Sequence, residues 1–401
     1  MIDFPYIQDI CQSTSSKVIM LVADGLGGAP HPETGKSELE SANIPNLDNL
    51  AGRSACGLTT PVFPGITPGS GPGHLSLFGY DPVKYLMGRG ILEGLGIDIE
   101  IRDGDIAARV NFCTVDKAGN LLDRRAGRIK SEYSMPLCEA LDTIDIPGVE
   151  VRIFPVQDYR FVALFRGEGL DQNITETDPQ ITGVPPRSVE ALNQNAKKTA
   201  AAANLLIEKA QQLLSHRDVA NMIMLRGYSK LPDLPEFGDS YKLNPAAIAA
   251  YPMYRGLAKV LGMNIIKTGS TFRDEIDTIR EHIDEHDFFY LHYKPADAAG
   301  EDGDFDAKVR ALEELDTFIP DILNMNPDVL VVAGDHATPS IMASHGWQPV
   351  PLLINSSLTT GEGIKAFDER SCSLGSIGQI SATNVMFLAL AHAGKLTKFG
   401  P

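Results

Sequence analysis

Positive charge is the first thing this chain is short of. Its 35 Lys and Arg residues face 52 Asp and Glu, a formal net charge of −17 at pH 7. Binding to nucleic acid or to an anionic membrane surface needs clustered cations that release counterions, so both partner classes are set aside and small molecules remain. Long apolar runs are also missing, and none approaches a membrane span. The N-terminus carries Asp3 and Asp9 instead of a basic stretch followed by an apolar one, which reads as a cytoplasmic protein. The five cysteines (Cys11, Cys56, Cys113, Cys138 and Cys372) are odd in number and scattered, and they form no C-x-x-C pair. That spacing excludes a disulfide scaffold and a zinc ribbon and leaves reduced, structural thiols.

Nucleotide and hydrolase fingerprints are missing too. Gly35-Lys36-Ser37 resembles the end of a phosphate-binding loop, but Pro30 stands where that loop needs glycine. Gly88-Arg-Gly90 with Gly94 misses the dinucleotide spacing, and Pro68 replaces the first glycine of a nucleophile elbow around Ser70.

What the chain does have is α/β grammar. With 401 residues, 43% of them hydrophobic, it can bury a sizeable core and suggests two domains, or one with an insertion. Buried strands are expected at 17–23, 287–293 and 328–333, and helices at 45–51, 305–318 and 382–392. Between them the texture changes to shorter strands at 149–154 and 160–164, then a long amphipathic helix over 189–215 that reads as packing surface. The expectation is a core of 1–84 with 218–401, mostly parallel and flanked by helices, interrupted by a smaller α+β domain at 85–217.

Two of the core strands end in acid. The first runs into Asp24-Gly-Leu-Gly-Gly28 and the last into Gly334-Asp335-His336. Ligands in open α/β sheets gather at strand C-terminal edges, and carboxylates and imidazoles converging there suit a cation. The strand at 287–293 leads to Asp297 and Glu301, four apart and able to share a helical face, while His345 follows ten residues after Asp335. Mixed oxygen and nitrogen donors fit Mn²⁺, Zn²⁺ or Co²⁺ and, with less nitrogen, Mg²⁺. Ser70, in Pro68-Gly-Ser-Gly-Pro-Gly-His74, is either a nucleophile at a helix start or a capping serine in a glycine-rich turn. Within this acidic chain, 102–130 is locally basic, most densely at Arg124-Arg-Ala-Gly-Arg128. Arginine forks suit carboxylate and phosphate, and the plain alternative is a solvated surface paired with neighbouring acids.

Taken in order, Asp24-Gly, the Pro-Asn-Leu-Asp helix, Pro-Gly-Ser70 with His74, Gly-Arg-Gly90, Asp-Arg-Arg-Ala-Gly-Arg-Ile129, Leu225-Arg-Gly227, the Asp297 loop and Gly-Asp-His336-Ala-Thr-Pro339 form a set. That set resembles the archaeal-type 2,3-bisphosphoglycerate-independent phosphoglycerate mutases of the alkaline phosphatase superfamily, over nearly the whole chain. The resemblance implies an alkaline-phosphatase-like α/β core holding two divalent metal ions, Mn²⁺ foremost and Mg²⁺, Co²⁺ or Zn²⁺ next, with no 2,3-bisphosphoglycerate as cofactor. It also implies an inserted domain that closes over a small anionic substrate, phosphoglycerate. One metal would take Asp24, Ser70, Asp335 and His336, and the other Asp297, Glu301 and His345. Ser70 would be the phosphorylated nucleophile. Arg89, Arg124, Arg125 and Arg128, with His74, would handle the substrate.

The family usually has histidine where this chain has Glu301, a change that adds negative charge and shifts preference away from nitrogen-favouring ions. A family lysine is expected near Lys242 or Asn244. Related chemistries on the same core are a phosphatase, a phosphopentomutase and a homoserine-kinase-like enzyme, and outside catalysis stands an inactive metal-binding relative.

Overall fold

The structure, a computed structural model, describes residues 1–361 and 363–401. The chain divides into two compact units, the larger formed by Met1–Leu86, Leu234–Ala250 and Leu261–Pro401 and the smaller by Met87–Asp233 with Tyr251–Val260. In chain order the larger unit contributes β1 (Val18–Ala23) and β2 (Ala55–Thr60). The smaller then supplies β3 (Ile106–Val115), β4 (Leu121–Asp123), β5 (Glu150–Gln157), β6 (Arg160–Arg166) and β7 (Met222–Ser229). The chain returns to the larger unit with β8 (Pro245–Ile248), β9 (Asn264–Ile265), β10 (Phe288–Tyr293), β11 (Val329–Ala333), β12 (Val350–Ser356) and β13 (Gly378–Ser381).

The larger sheet runs β13-β2-β12-β11-β1-β10-β8-β9. Its centre is parallel, with β1 between β10 and β11, and β12 alone runs against its neighbours. Every residue of β1, Val-Ile-Met-Leu-Val-Ala, is buried, the pattern of a strand covered on both faces. Each large apolar side chain so buried contributes on the order of 1.5–3 kcal/mol. The helix Phe305–Leu323 helps cover this sheet, burying Leu312, Leu315, Ile319 and Ile322, and it runs on through Pro320 past its expected end at 318. The expected helix at 382–392 opens as a 3₁₀ turn over Ala382–Asn384 before Val385–His392.

The smaller sheet is antiparallel, in the order β4-β3-β6-β5 with β7 along β3. A boundary at 217 would cut β7 from this sheet, yet six residues of β3 pair with it, so the unit extends to Asp233. It also recovers Tyr251–Val260, whose helix Pro252–Val260 lies so close to the helix Arg89–Gly96 that a Cβ on Gly256 would strike the carbonyl oxygen of Leu92. The expected helix at 189–215 begins only at Lys197. Asn204 is the reason: its amide holds both the N–H and the C=O of Val189, while Glu190 pairs with Thr175 and Leu192 with Asn173. That leaves Leu192 67% exposed instead of packed.

Glu275, in the helix Phe272–His282, is buried and accepts the N–H of Ala250 at 2.7 Å. Burial pushes its carboxyl up from 4.5 to about 8. The folded protein therefore holds a proton that the unfolded chain has released, so this contribution to stability is full below 4.5 and is lost as pH rises through about 8. Glu275→Gln should flatten that fall. Urea midpoints measured from about pH 5 to about pH 8.5 should decline less in the variant than in the parent, and parallel declines would reject the assignment.

Candidate metal centre and active site

Register places the site. Across β1 and β10, Val22 pairs with His292 and Ala23 with Tyr293, while across β1 and β11 Val22 pairs with Ala333. The three strands therefore finish together, and the residues that follow, Asp24, Lys294 and Gly334-Asp335-His336, emerge at one carboxyl edge. Lys294 leads into the short helix Pro295–Glu301, which carries Asp297 and Glu301 one turn apart. Ser70 is the first residue of the helix Ser70–Leu77. Glycine at 73 lets that helix lie directly on the Asp335 backbone, where any Cβ would run into the Asp335 carbonyl oxygen.

Two overlapping donor groups result, Asp24 with Asp335 and His336, and Asp297 with His336 and His345, each with ligand atoms within 4.8 Å of one another. His336 Nε2 lies 3.4 Å from Asp24 Oδ1, 3.2 Å from Asp335 Oδ2 and 3.3 Å from Ser70 Oγ. His345 Nε2 lies 3.7 Å from Asp297 Oδ1 and 3.6 Å from Glu301 Oε1. The ring of His345 stacks on that of His336 at 3.7 Å, and its Nδ1 sits 2.9 Å from the carbonyl oxygen of Pro68. A carbonyl can only accept, so His345 carries a proton on Nδ1 and leaves Nε2 as the nitrogen that faces the carboxylates. Three buried aspartates with two buried or nearly buried imidazoles make a donor set that fits divalent metal ions.

The protein's own cations temper the negative charge. Lys294 Nζ reaches Asp24 Oδ2 at 3.0 Å and Asp297 Oδ2 at 2.5 Å. Burial alone would raise the pKa of Asp24, but the Lys294 ammonium, the His292 hydrogen bond and His336 hold it well below the usual carboxylate range. Burial and Asp24 press Asp335 upward, and His336 and His74 hold it low. His292 Nε2 donates to Asp24 at 3.0 Å, and burial drives its pKa down to about 4, so it stays neutral. His292 and Lys294 had no role in the sequence reading, although their position at the end of a buried strand beside Asp24 was available as a signal.

Ser70, Asp24, Asp297, Asp335, His336 and His345 are all brought together. Glu301 approaches the group at His345, 3.6 Å from its Nε2, and its side chain is 50% exposed. His74 departs from the expected contact with substrate. It is wholly buried, with Nδ1 3.1 Å from Asp335 Oδ2 and 2.8 Å from the Ser70 carbonyl, so it braces a carboxylate instead. Lys242 and Asn244 precede β8, whose first residue pairs with Phe288 at the start of β10, so both stand at the opposite end of the sheet. Asn244 there binds Asp287 and Glu285, and the Lys242 carbonyl accepts from Ser13.

In the smaller unit the arginines divide by partner. Arg124 is locked in a two-pronged pair with Asp178 at 2.9 and 2.8 Å. Arg125 and Arg128 are exposed on a turn where Ala126, Gly127 and Arg128 all take positive φ, pinned by Asp123 accepting from the N–H groups of Arg125 and Gly127. A second group gathers around the expected Arg89. Arg109 and Arg226 stand opposite each other across β3 and β7, and burial with the charges of Arg109 and Arg89 lowers the pKa of Arg226. Like charges facing across strands destabilise a sheet. Glu93, 3.2 Å from Arg109, Asp178, 3.4 Å from Arg226, and the nearby Glu176 offset that repulsion, and Arg89, Arg109 and Arg226 together make a candidate seat for an anion.

Known proteins resemble this chain over nearly its whole length. Residues 51–220 match the family model described as 2,3-bisphosphoglycerate-independent phosphoglycerate mutase. A Thermotoga neapolitana protein named as a probable member is 51% identical over 398 residues, covering 98% of each chain. One from Thermus thermophilus, named likewise, is 45% identical over 404 residues, covering 99% of each. Among solved structures, a Pyrococcus horikoshii protein has a TM-score of 0.83 at 27% identity over 97% of this chain and 100% of its own. The cofactor-independent phosphoglycerate mutase of Thermoplasma acidophilum has a TM-score of 0.67 at 29% identity over 94% and 100%.

The split among the arginines can be read in stability. Arg124→Ala leaves the buried Asp178 carboxylate with the Gln180 N–H and the longer Arg226 contact, and should lower the melting temperature measurably. The double substitution Arg125→Ala with Arg128→Ala touches exposed side chains and should stay within about 0.5 kcal/mol of the parent. Calorimetry giving equal losses would contradict this division.

Proposed function

The chain belongs to the family of 2,3-bisphosphoglycerate-independent phosphoglycerate mutases, and from that membership we propose that it interconverts 3-phosphoglycerate and 2-phosphoglycerate through a phosphoserine at Ser70. The observation that carries this reading is the placement of Ser70. Its hydroxyl opens a helix N-terminus beside two donor groups that share His336. Two divalent ions, Mn²⁺ by preference, would be held by Asp24, Ser70, Asp335 and His336 and by Asp297, Glu301 and His345, and when bound they neutralise phosphoryl oxygens and lower the pKa of the serine hydroxyl.

The residues then divide the work. Ser70 Oγ attacks phosphorus, its bond to the 3-oxygen of the substrate breaks, and glycerate is released within the site. The 2-hydroxyl of glycerate next attacks the same phosphorus, and the bond to Oγ breaks, so the serine is regenerated with no net consumption of water. The helix amides behind Ser70 favour the phosphoryl charge. His74 holds Asp335 in place from below, and Lys294 supplies a fixed positive charge between Asp24 and Asp297. Arg89, Arg109 and Arg226, with the exposed Arg125 and Arg128, are the anion binders of the smaller unit.

Ser70→Ala removes the nucleophile without disturbing the helix it opens. It should abolish mutase turnover and any acid-stable phosphoserine while leaving the melting temperature within about 2–4 °C of the parent. Phosphate mapped to another residue would relocate the chemistry. Product analysis with 3-phosphoglycerate alone, and with homoserine plus ATP, separates this reaction from the kinase-like one.

Metal removal is the second test. Stripping divalent ions with a chelator should eliminate turnover, and Mn²⁺ should restore it. Full activity in a preparation shown to be metal-free would reject the two-ion reading.

A further inference from the structure

His336 falls in both donor groups, and one imidazole cannot serve two centres equally. The neighbouring threonine settles which it serves. Thr338 Oγ1 lies 2.6 Å from Asp297 Oδ1 and 3.0 Å from His336 Nδ1. A hydroxyl has one proton to give, and a carboxylate can only accept. We propose that Thr338 is a positioning residue that couples the two metal groups: its hydroxyl donates to Asp297 in one and thereby fixes the ring of His336 for the other. With that proton spent on Asp297, the contact to His336 is made by a proton on Nδ1. Nε2 is then the bare nitrogen, and it is Nε2 that faces Asp24, Asp335 and Ser70. His336 is thus assigned to the group of Asp24 and Asp335, and Asp297 keeps His345 and Glu301.

The threonine is held firmly enough for this role. Its N–H donates to the Gly27 carbonyl at 3.0 Å, and its own carbonyl accepts from Lys308 Nζ at 2.8 Å. Lys308 is completely buried and donates also to Gly27, again at 2.8 Å, so one ammonium ties the loop after β1 to the loop after β11. Gly300 permits the close approach of the helix that carries Asp297, since a Cβ there would strike the Thr338 carbonyl oxygen. The β-branched side chain has little χ1 freedom, which keeps the hydroxyl between its two partners.

This inference rests on the two-ion reading but not on the identity of the substrate. The test is Mn²⁺ binding, measured by calorimetry on the full chain, for Thr338→Val, which keeps the shape and loses the hydroxyl, and for Thr338→Ser, which keeps the hydroxyl. The valine variant should bind Mn²⁺ roughly 10- to 100-fold more weakly, the range for loss of an outer partner of a metal ligand, and serine should recover most of it. Equal affinity in the valine variant and the parent overturns the proposal. Should the valine variant fail to fold, nitrogen NMR of the histidine-labelled, Zn²⁺-loaded parent decides, with the His336 signal assigned by His336→Gln. A proton on Nδ1 supports the proposal, and a proton on Nε2 overturns it. A parent that binds no divalent ion overturns both this and the two-ion reading. One that binds ions as described but does not turn over phosphoglycerate removes only the mutase reading.

Discussion

Like charge confined at one sheet edge is the constraint to which the rest of this site responds. Asp24 and Asp335 present oxygens within 4.8 Å of each other, both wholly buried, and Asp297 lies just beyond. Two unit charges about 4 Å apart at an effective dielectric near 20 repel by about 4 kcal/mol. That is comparable to the whole net stability of many domains, roughly 5–15 kcal/mol. Such a site persists only when each carboxylate is answered by a cation or a donor. The protein supplies part of the answer itself through Lys294 between Asp24 and Asp297, His292 on Asp24 and His74 on Asp335. A divalent ion held by these donors would complete it.

Meeting that constraint demands backbone precision before it demands chemistry. Three strands far apart in sequence end at one register line because their apolar residues are buried on both faces, where a slip would expose or crowd the core. The loops beyond the strands are then fixed by close packing and buried donors. Gly73 admits the Ser70 helix onto the Asp335 backbone, and Lys308 joins Gly27 to Thr338. The hydrophobic core and the polar site are therefore one construction, the first setting where chains end and the second using those ends.

How much of this was legible in the sequence follows from the range of each interaction. Asp24 and Asp335-His336 could be read because a local signal, an acid at the end of a continuous apolar run, marks a strand edge. The smaller α+β domain was foreseen only in outline, because its boundary depends on β7 pairing with β3 across more than a hundred residues, which no local pattern records. The helix expected from 189 failed at its start for a similar reason: Asn204 reaches back to Val189 and draws that segment into a bridge. Arg124 stood out only as one of a basic run, because its partner Asp178, which takes its Nε and Nη2, lies 54 residues on. Conversely, Arg109 and Arg226 lie singly in unremarkable strands and become a pair only when those strands meet.

Glu301 shows how a further carboxylate at this site can be accommodated. At 50% exposure it keeps most of its hydration, so the extra negative charge costs little when compared with the buried aspartates. Its neighbour His345 responds to it. Burial would lower the pKa of that imidazole, but Glu301 and Asp297 raise it instead. Protons therefore compete more strongly for His345 Nε2 here than they would beside a neutral histidine, and a metal ion must displace them. An ion that gains more from an added carboxylate oxygen than it loses in that competition is favoured.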